Sequence, residues 1–188
     1  MTTATLPATT GAPPVLRRLY FIRFGFALAW AVLLFATASS IEVLSATLLV
    51  LYPLVDVAAA VVDARSSRAT GTTPHGLYAN IAISTLAAVG LAVALGSGIP
   101  AVLQVWGAWA VFAGLVQLAV ALRRRALGGQ WPLIASGSIS VLAGVNFVLM
   151  ATGDSPSLAS VAGYALLGGV FFLASALRLG HAGRNGQR

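Results

Sequence analysis

Two charged residues stand inside apolar stretches long enough to cross a bilayer. Asp56 lies within LYPLVDVAAAVVDAR, Leu51 to Arg65, and Arg23 lies near the start of Leu19 to Ala38. A charge at such depth is costly and needs a partner or a task. Arg23 is six residues beyond Arg17, about 9 Å along a helix, and Asp56 is nine residues before Arg65, about 13 Å. On adjacent antiparallel helices the two reach similar depth. They read as a buried ion pair that locks the first two helices together, with Arg23 partly snorkelling. The alternative is a gated or protonatable pair in a polar pocket. Tyr52, Asn80, Ser84 and Gln117 are the other polar residues at that depth, and with Asp56 they can line a small inward-facing cavity. Their plainer role is interhelical hydrogen bonding, worth about 0.6 kcal/mol each.

Little else in the chain offers chemistry. The absence of cysteine excludes disulfides, thiolate metal sites, iron–sulfur clusters and S-acylation. His75 and His181 have no His, Cys or carboxylate neighbours at ligand spacing, so no metal is expected. There is no nucleophile elbow, phosphate-binding glycine loop or zinc-protease motif. The expectation is a protein that is not an enzyme and carries no cofactor.

The elements that position Arg23 and Asp56 follow from composition. Of 188 residues, 59% are hydrophobic and 8% charged, against about 25% charged in a soluble domain. Six apolar segments, Leu19–Ala38, Val43–Val62, Leu77–Leu95, Ala101–Leu122, Pro132–Ala151 and Leu158–Leu177, each have about the 20 residues that span a bilayer core. Ala36-Thr37-Ala38 looks like a signal-peptide cleavage site, but the segment before it is long and carries Arg23, so it reads as an uncleaved first helix. Pro53 is expected to kink the second helix and free a backbone carbonyl.

Net charge is +7, from 11 arginines and no lysine against four acids. With six crossings, every arginine outside the segments falls on one side, and Arg23 lies just inside that same side. The other connectors carry only Glu42 and Asp154. The positive-inside rule then puts both termini in the cytoplasm and the chain in the inner membrane. Basic residues confined to helix ends argue against nucleic acid and for anionic lipid on the cytoplasmic face. Residues 1–16, rich in Thr, Ala and Pro, read as a disordered cytoplasmic tail, 17–180 as the transmembrane domain and 181–188 as a second tail.

The segments also repeat. Asp63-Ala64-Arg65 aligns with Ala121-Leu122-Arg123 and with Ala176-Leu177-Arg178. In that register Leu51-Tyr52 falls near Trp109-Ala110 and Tyr164-Ala165, and Asp56 falls on Gly114 and Gly169. In the odd segments Gly137 and Gly144 are seven apart, and Gly90 matches Gly144. The expected fold is all-α: an integral membrane six-helix bundle of three helical-hairpin repeats in one orientation, unlike the inverted repeats of many transporters. Small residues at contact spacing (Gly107, Ala110 and Gly114; Ser136, Ser140 and Gly144; Ala165, Gly168 and Gly169) let helices approach closely within the bundle, with homo-oligomer contacts the alternative. Trp106, Trp131 and Tyr164 fit an aromatic belt at the membrane interface.

At these residues the sequence resembles the HdeD-like acid-resistance membrane proteins, a family built from a short repeat. The likeness rests on Arg23, where the family often has Arg-Gly, and on Tyr52-Pro53-Leu54-Val55-Asp56, which is similar to the family's Tyr-Ala-Leu-x-Asp-Gly. It rests also on the hairpin from Trp109 to Gly144, with its basic break at Arg123–Arg125, then Trp131 and spaced glycines. Pro53, Val57 and Phe24 depart from the family's small residues. The resemblance implies an inner-membrane protein tied to acid or envelope stress. The expected function is non-enzymatic stress tolerance of this type; the alternative is a small proton-coupled transporter or channel using Arg23 and Asp56.

Overall fold

The computed structural model describes residues 14–69, 75–123, 125 and 131–185. Most of the first tail, 1–13, lies outside them, as do Arg124 and Arg188 and the side chains of His181 and Arg184. Six helices follow one another: α1 Pro14–Ala36, α2 Val43–Ala69, α3 His75–Ala94, α4 Ile99–Arg123, α5 Trp131–Met150 and α6 Ala159–Asn185. Among the described residues there is no strand. Each helix is long and apolar enough to cross a membrane, and each closes its own backbone hydrogen bonds, as lipid requires. Large apolar side chains such as Phe35, Leu86, Val93 and Leu142 are exposed on the outer surface. A water-facing surface would not carry them in such number; the chain is a multi-pass membrane protein.

The turns at the arginine-poor end are built by short polar side chains and one glycine. Before α2, the Glu42 amide donates to Ser45 Oγ at 2.8 Å, and the Ser45 hydroxyl turns back to the Ser40 carbonyl at 3.1 Å. Between α3 and α4 a single 3-10 turn, Leu95–Ser97, ends at Gly98, whose φ of 86° is the left-handed conformation that glycine takes without strain. Pro100 follows in the first turn of α4, where a missing N–H costs nothing. The Leu158 amide, before α6, donates to the Ala38 carbonyl after α1 at 3.4 Å and ties two loops together.

The helices stand in a ring in chain order, and α6 closes on α1. The closest packing joins an even helix to the odd helix after it: α2 to α3, α4 to α5, and α6 to α1. The two helices within the first and third hairpins, α1 with α2 and α5 with α6, touch far less. Hairpins set the path of the chain, while tight interfaces form between repeats.

The α4–α5 interface shows why. A Cβ on Gly107 would fall 2.6 Å from the Gly144 carbonyl oxygen, and one on Gly114 would fall 2.7 Å from that of Gly137. Only glycine permits that approach of two backbones. The two pairs are seven residues apart on both helices, which fixes the antiparallel register. In the α6–α1 interface a Cβ on Gly169 would meet Ala27 Cβ at 3.1 Å. Gly114 and Gly169 occupy one repeat position, and the third copy of that position is Asp56.

The arginine-poor half of the ring is solid. Trp30, Leu34, Leu49, Leu91, Leu103, Trp106, Phe147 and Leu158 are fully buried there. This corrects the assignment of Trp106 and Tyr164 to an interfacial belt. Trp106 stacks on Trp30 at 5.5 Å between ring centroids and lies edge-on to Trp109 at 5.2 Å. Tyr164 meets Phe147 edge-on at 5.6 Å. The Trp106 indole gains ring contacts in the core that the headgroups would not give it, although its buried Nε1–H has no hydrogen-bond partner among the described residues. Trp131, 78% exposed at the start of α5, is placed as a belt residue should be.

Candidate functional site

The other half of the ring is hollow. A cavity of about 530 Å³ is lined by side chains from all six helices. It runs from Ser67, Gly76 and Ser175 at the arginine-rich end down to Tyr52, Trp109 and Tyr164. Beneath that floor lies the packed core.

Arg23 and Asp56 meet on the cavity wall, where the guanidinium donates to Asp56 Oδ1. The depth at which α1 and α2 pass each other puts them level. The carboxylate's other oxygen accepts from α3: Asn80 Nδ2 donates to Oδ2 at 2.7 Å and Ser84 Oγ at 2.9 Å. Ser84 in turn accepts from Trp109 Nε1 on α4 at 3.1 Å. Behind Arg23, its guanidinium carbon sits 4.2 Å from the centroid of Phe172 on α6, a cation–π contact. The network thus crosses α6, α1, α2, α3 and α4.

The geometry follows from the repeat. Where Gly114 and Gly169 let helices touch, Asp56 fills the gap between α2 and α3 with a charge, and Asn80 and Ser84 answer it one turn apart on the facing helix. The pair is not sealed: Arg23 and Asp56 side chains keep 17% and 15% of their surface exposed. Paired charges in a low-dielectric wall that still faces open space hold both a structural lock and a point of contact for a solute.

The remaining residues of the expected pocket are placed as follows. Tyr52 forms the floor with Trp30, Trp106 and Trp109, at centroid distances of 4.6, 5.7 and 6.0 Å. Gln117 lines the cavity from α4, away from the pair, and donates to the Leu133 carbonyl on α5 at 3.1 Å. Across the cavity Tyr164 donates to Ser140 Oγ at 2.9 Å and bridges the loosely packed α5–α6 seam. Pro53 leaves the Leu49 carbonyl without its helical donor. Next to it, Trp30 Nε1 donates to the Leu48 carbonyl at 2.6 Å, holding α1 on α2.

Of three further contributors, two carried no clear sign in the sequence. Trp109 and Phe172 sit in wholly apolar helices, where periodicity does not tell an inward ring from a lipid-facing one. Asp63 did leave a signal: it is seven residues from Asp56, hence on the same face of α2, and it too lines the cavity. It lies within electrostatic range of Arg23 and Tyr20. Among the described residues no cluster of three His, Asp or Glu could hold a metal ion. No protein-family model, no curated protein and no solved structure matches the chain.

Proposed function

We propose that the chain is a cytoplasmic-membrane protein of the HdeD-like type, with both termini and the arginine-rich end in the cytoplasm. Its cavity binds a small solute from that side without covalent chemistry, in support of acid or envelope stress tolerance. The observation that carries this reading is the position of Asp56. It lies on the wall of an open cavity and not inside a closed helix interface. The arginines support the orientation, because positive residues collect on the cytoplasmic side and there attract anionic lipid. The stress role rests on the resemblance at Arg23, at Tyr52 to Asp56 and in the Trp109–Gly144 hairpin.

A second reading, proton-coupled transport, draws on the same carboxylate. It requires the stacked floor of Trp30, Tyr52 and Trp106 to part, since those rings pack on one another and on the buried core beneath. One experiment separates the two. The chain has no cysteine, so single cysteines report cleanly. An impermeant thiol reagent is expected to label Gly98→Cys and Asp154→Cys only from outside the cell. Ala69→Cys at the end of α2, and Ala113→Cys and Ser136→Cys on the cavity wall, are expected to react only in inverted vesicles. Cavity positions that stay unlabelled from both sides would sink the binding reading, and labelling from both sides would favour transport.

A further inference from the structure

We propose that the solute is a monovalent organic cation with an aromatic or apolar body. This deepens the binding reading above and rests on it. Among the described residues only three charges line the cavity, Arg23, Asp56 and Asp63, so its wall carries one net negative charge. Arg23 is already committed, bonded to Asp56 and stacked on Phe172. Asp56 is likewise occupied, with donors on both oxygens. Asp63 makes no ion pair among the described residues. It stands about 10 Å from Asp56 along α2, toward the mouth.

Aromatic rings line the cavity along its length: Tyr20, Phe26, Tyr52, Trp109, Tyr164 and Phe172 all face it. Tyr20, within electrostatic range of Asp63, packs on Phe172 in the part toward the mouth, and the others lie deeper, toward the floor. Ring faces attract cations, and more strongly when the cation is desolvated. The alternatives fit less well. A divalent metal needs several oxygen ligands, and one uncommitted carboxylate does not supply them. A bare alkali ion would leave most of a 530 Å³ apolar-walled space unfilled. That volume lies in the range of about 300–1,000 Å³ typical of small-molecule sites. An anion would face two carboxylates, with the single guanidinium already paired. The arginines of the rim, Arg65, Arg68, Arg123 and Arg178, do not line the wall.

Tetraphenylphosphonium and tetraphenylborate have nearly the same shape and opposite charge, so they isolate the electrostatic part. Binding of each to the full chain in nanodiscs of zwitterionic lipid is measured by tryptophan fluorescence and calorimetry, with empty nanodiscs subtracted for partitioning. Tetraphenylphosphonium is expected to saturate at one per chain and to bind at least about tenfold more tightly than tetraphenylborate. Asp63→Asn is expected to weaken it about tenfold, while Asp63→Glu keeps the affinity; melting curves verify that both variants fold. Tighter binding of tetraphenylborate, no effect of Asp63→Asn, or no saturable binding of either ion would overturn the cation assignment. None of those results touches the cysteine labelling, so a labelled cavity without cation binding removes this inference and leaves the binding reading standing.

Discussion

Asp56 accepts from Arg23, Asn80 and Ser84 at once, so each of its partners is tied to the others' fate. Asp56→Asn strands the Arg23 guanidinium against an apolar wall. Full burial would set that cost at about 3–5 kcal/mol; the residual exposure of the pair argues for the lower end. Arg23→Gln should do comparable harm from the other side. The double variant should recover part of the loss, since neither charge is then left alone. Chemical unfolding in detergent of the two singles and the double measures this, and simple additivity would show that the two residues do not support each other. The depth of this pair is legible in the sequence because it needs only the rise per residue of a helix. The donors Ser84 and Trp109 are not legible to the same degree. Which way an indole faces in a helix apolar on every side is decided by its neighbours.

At the scale of the helix pair, stability depends on where backbones can touch. Gly107 with Gly144 and Gly114 with Gly137 press α4 on α5, and any side chain there must push the helices apart. Gly114→Val is expected to destabilise by about 1–3 kcal/mol through overpacking. Gly25 and Gly163 have nothing within reach of an added Cβ, so Gly25→Ala and Gly163→Ala should be neutral or slightly stabilising, since alanine favours the helix by up to about 1 kcal/mol. Melting temperatures of these variants in one detergent test the contrast, and equal losses at all the positions would refute the close-approach account. The seven-residue spacing of Gly137 and Gly144 is visible in the sequence, as is the small-residue stripe of α4. The hairpin from Trp109 to Gly144 already sets α4 beside α5, but the glycine-on-glycine register is not legible, and the three-hairpin repeat alone points α5 to α6, which it touches far less.

For the whole molecule, six crossings could be counted from hydropathy, and arginine placement agreed with that count, because lipid leaves a chain few choices. A small inward-facing cavity at Tyr52, Asp56, Asn80 and Gln117 was legible, but its extent across all six helices was not, for a physical reason. A cavity is defined by what several helices jointly fail to fill, and no single stretch records that. The ring also has polar pins at its loosest seams: Arg23 with Asp56 and Trp30 with Leu48 between α1 and α2, and Tyr164 with Ser140 between α5 and α6. These pins hold the ring closed at the two seams where the helices touch least.

The closure of α6 on α1 has a consequence for genetic rearrangement. A ring of three like units has no obligatory first unit, so the order of its parts can be rotated. If the ends at α1 and α6 are joined and the chain is reopened between α2 and α3, translation begins with α3. Every helix then keeps its direction and every arginine keeps its side. Reopening between α1 and α2 instead would start the chain at the arginine-poor face, against the charge rule that orients it. The first permutant should therefore insert and melt close to the parent, as intact surface-cut circular permutants commonly do, and the second should fail to insert. Failure of both, with the joining linker long enough, would mean that the order of synthesis, and not the closed ring alone, determines assembly.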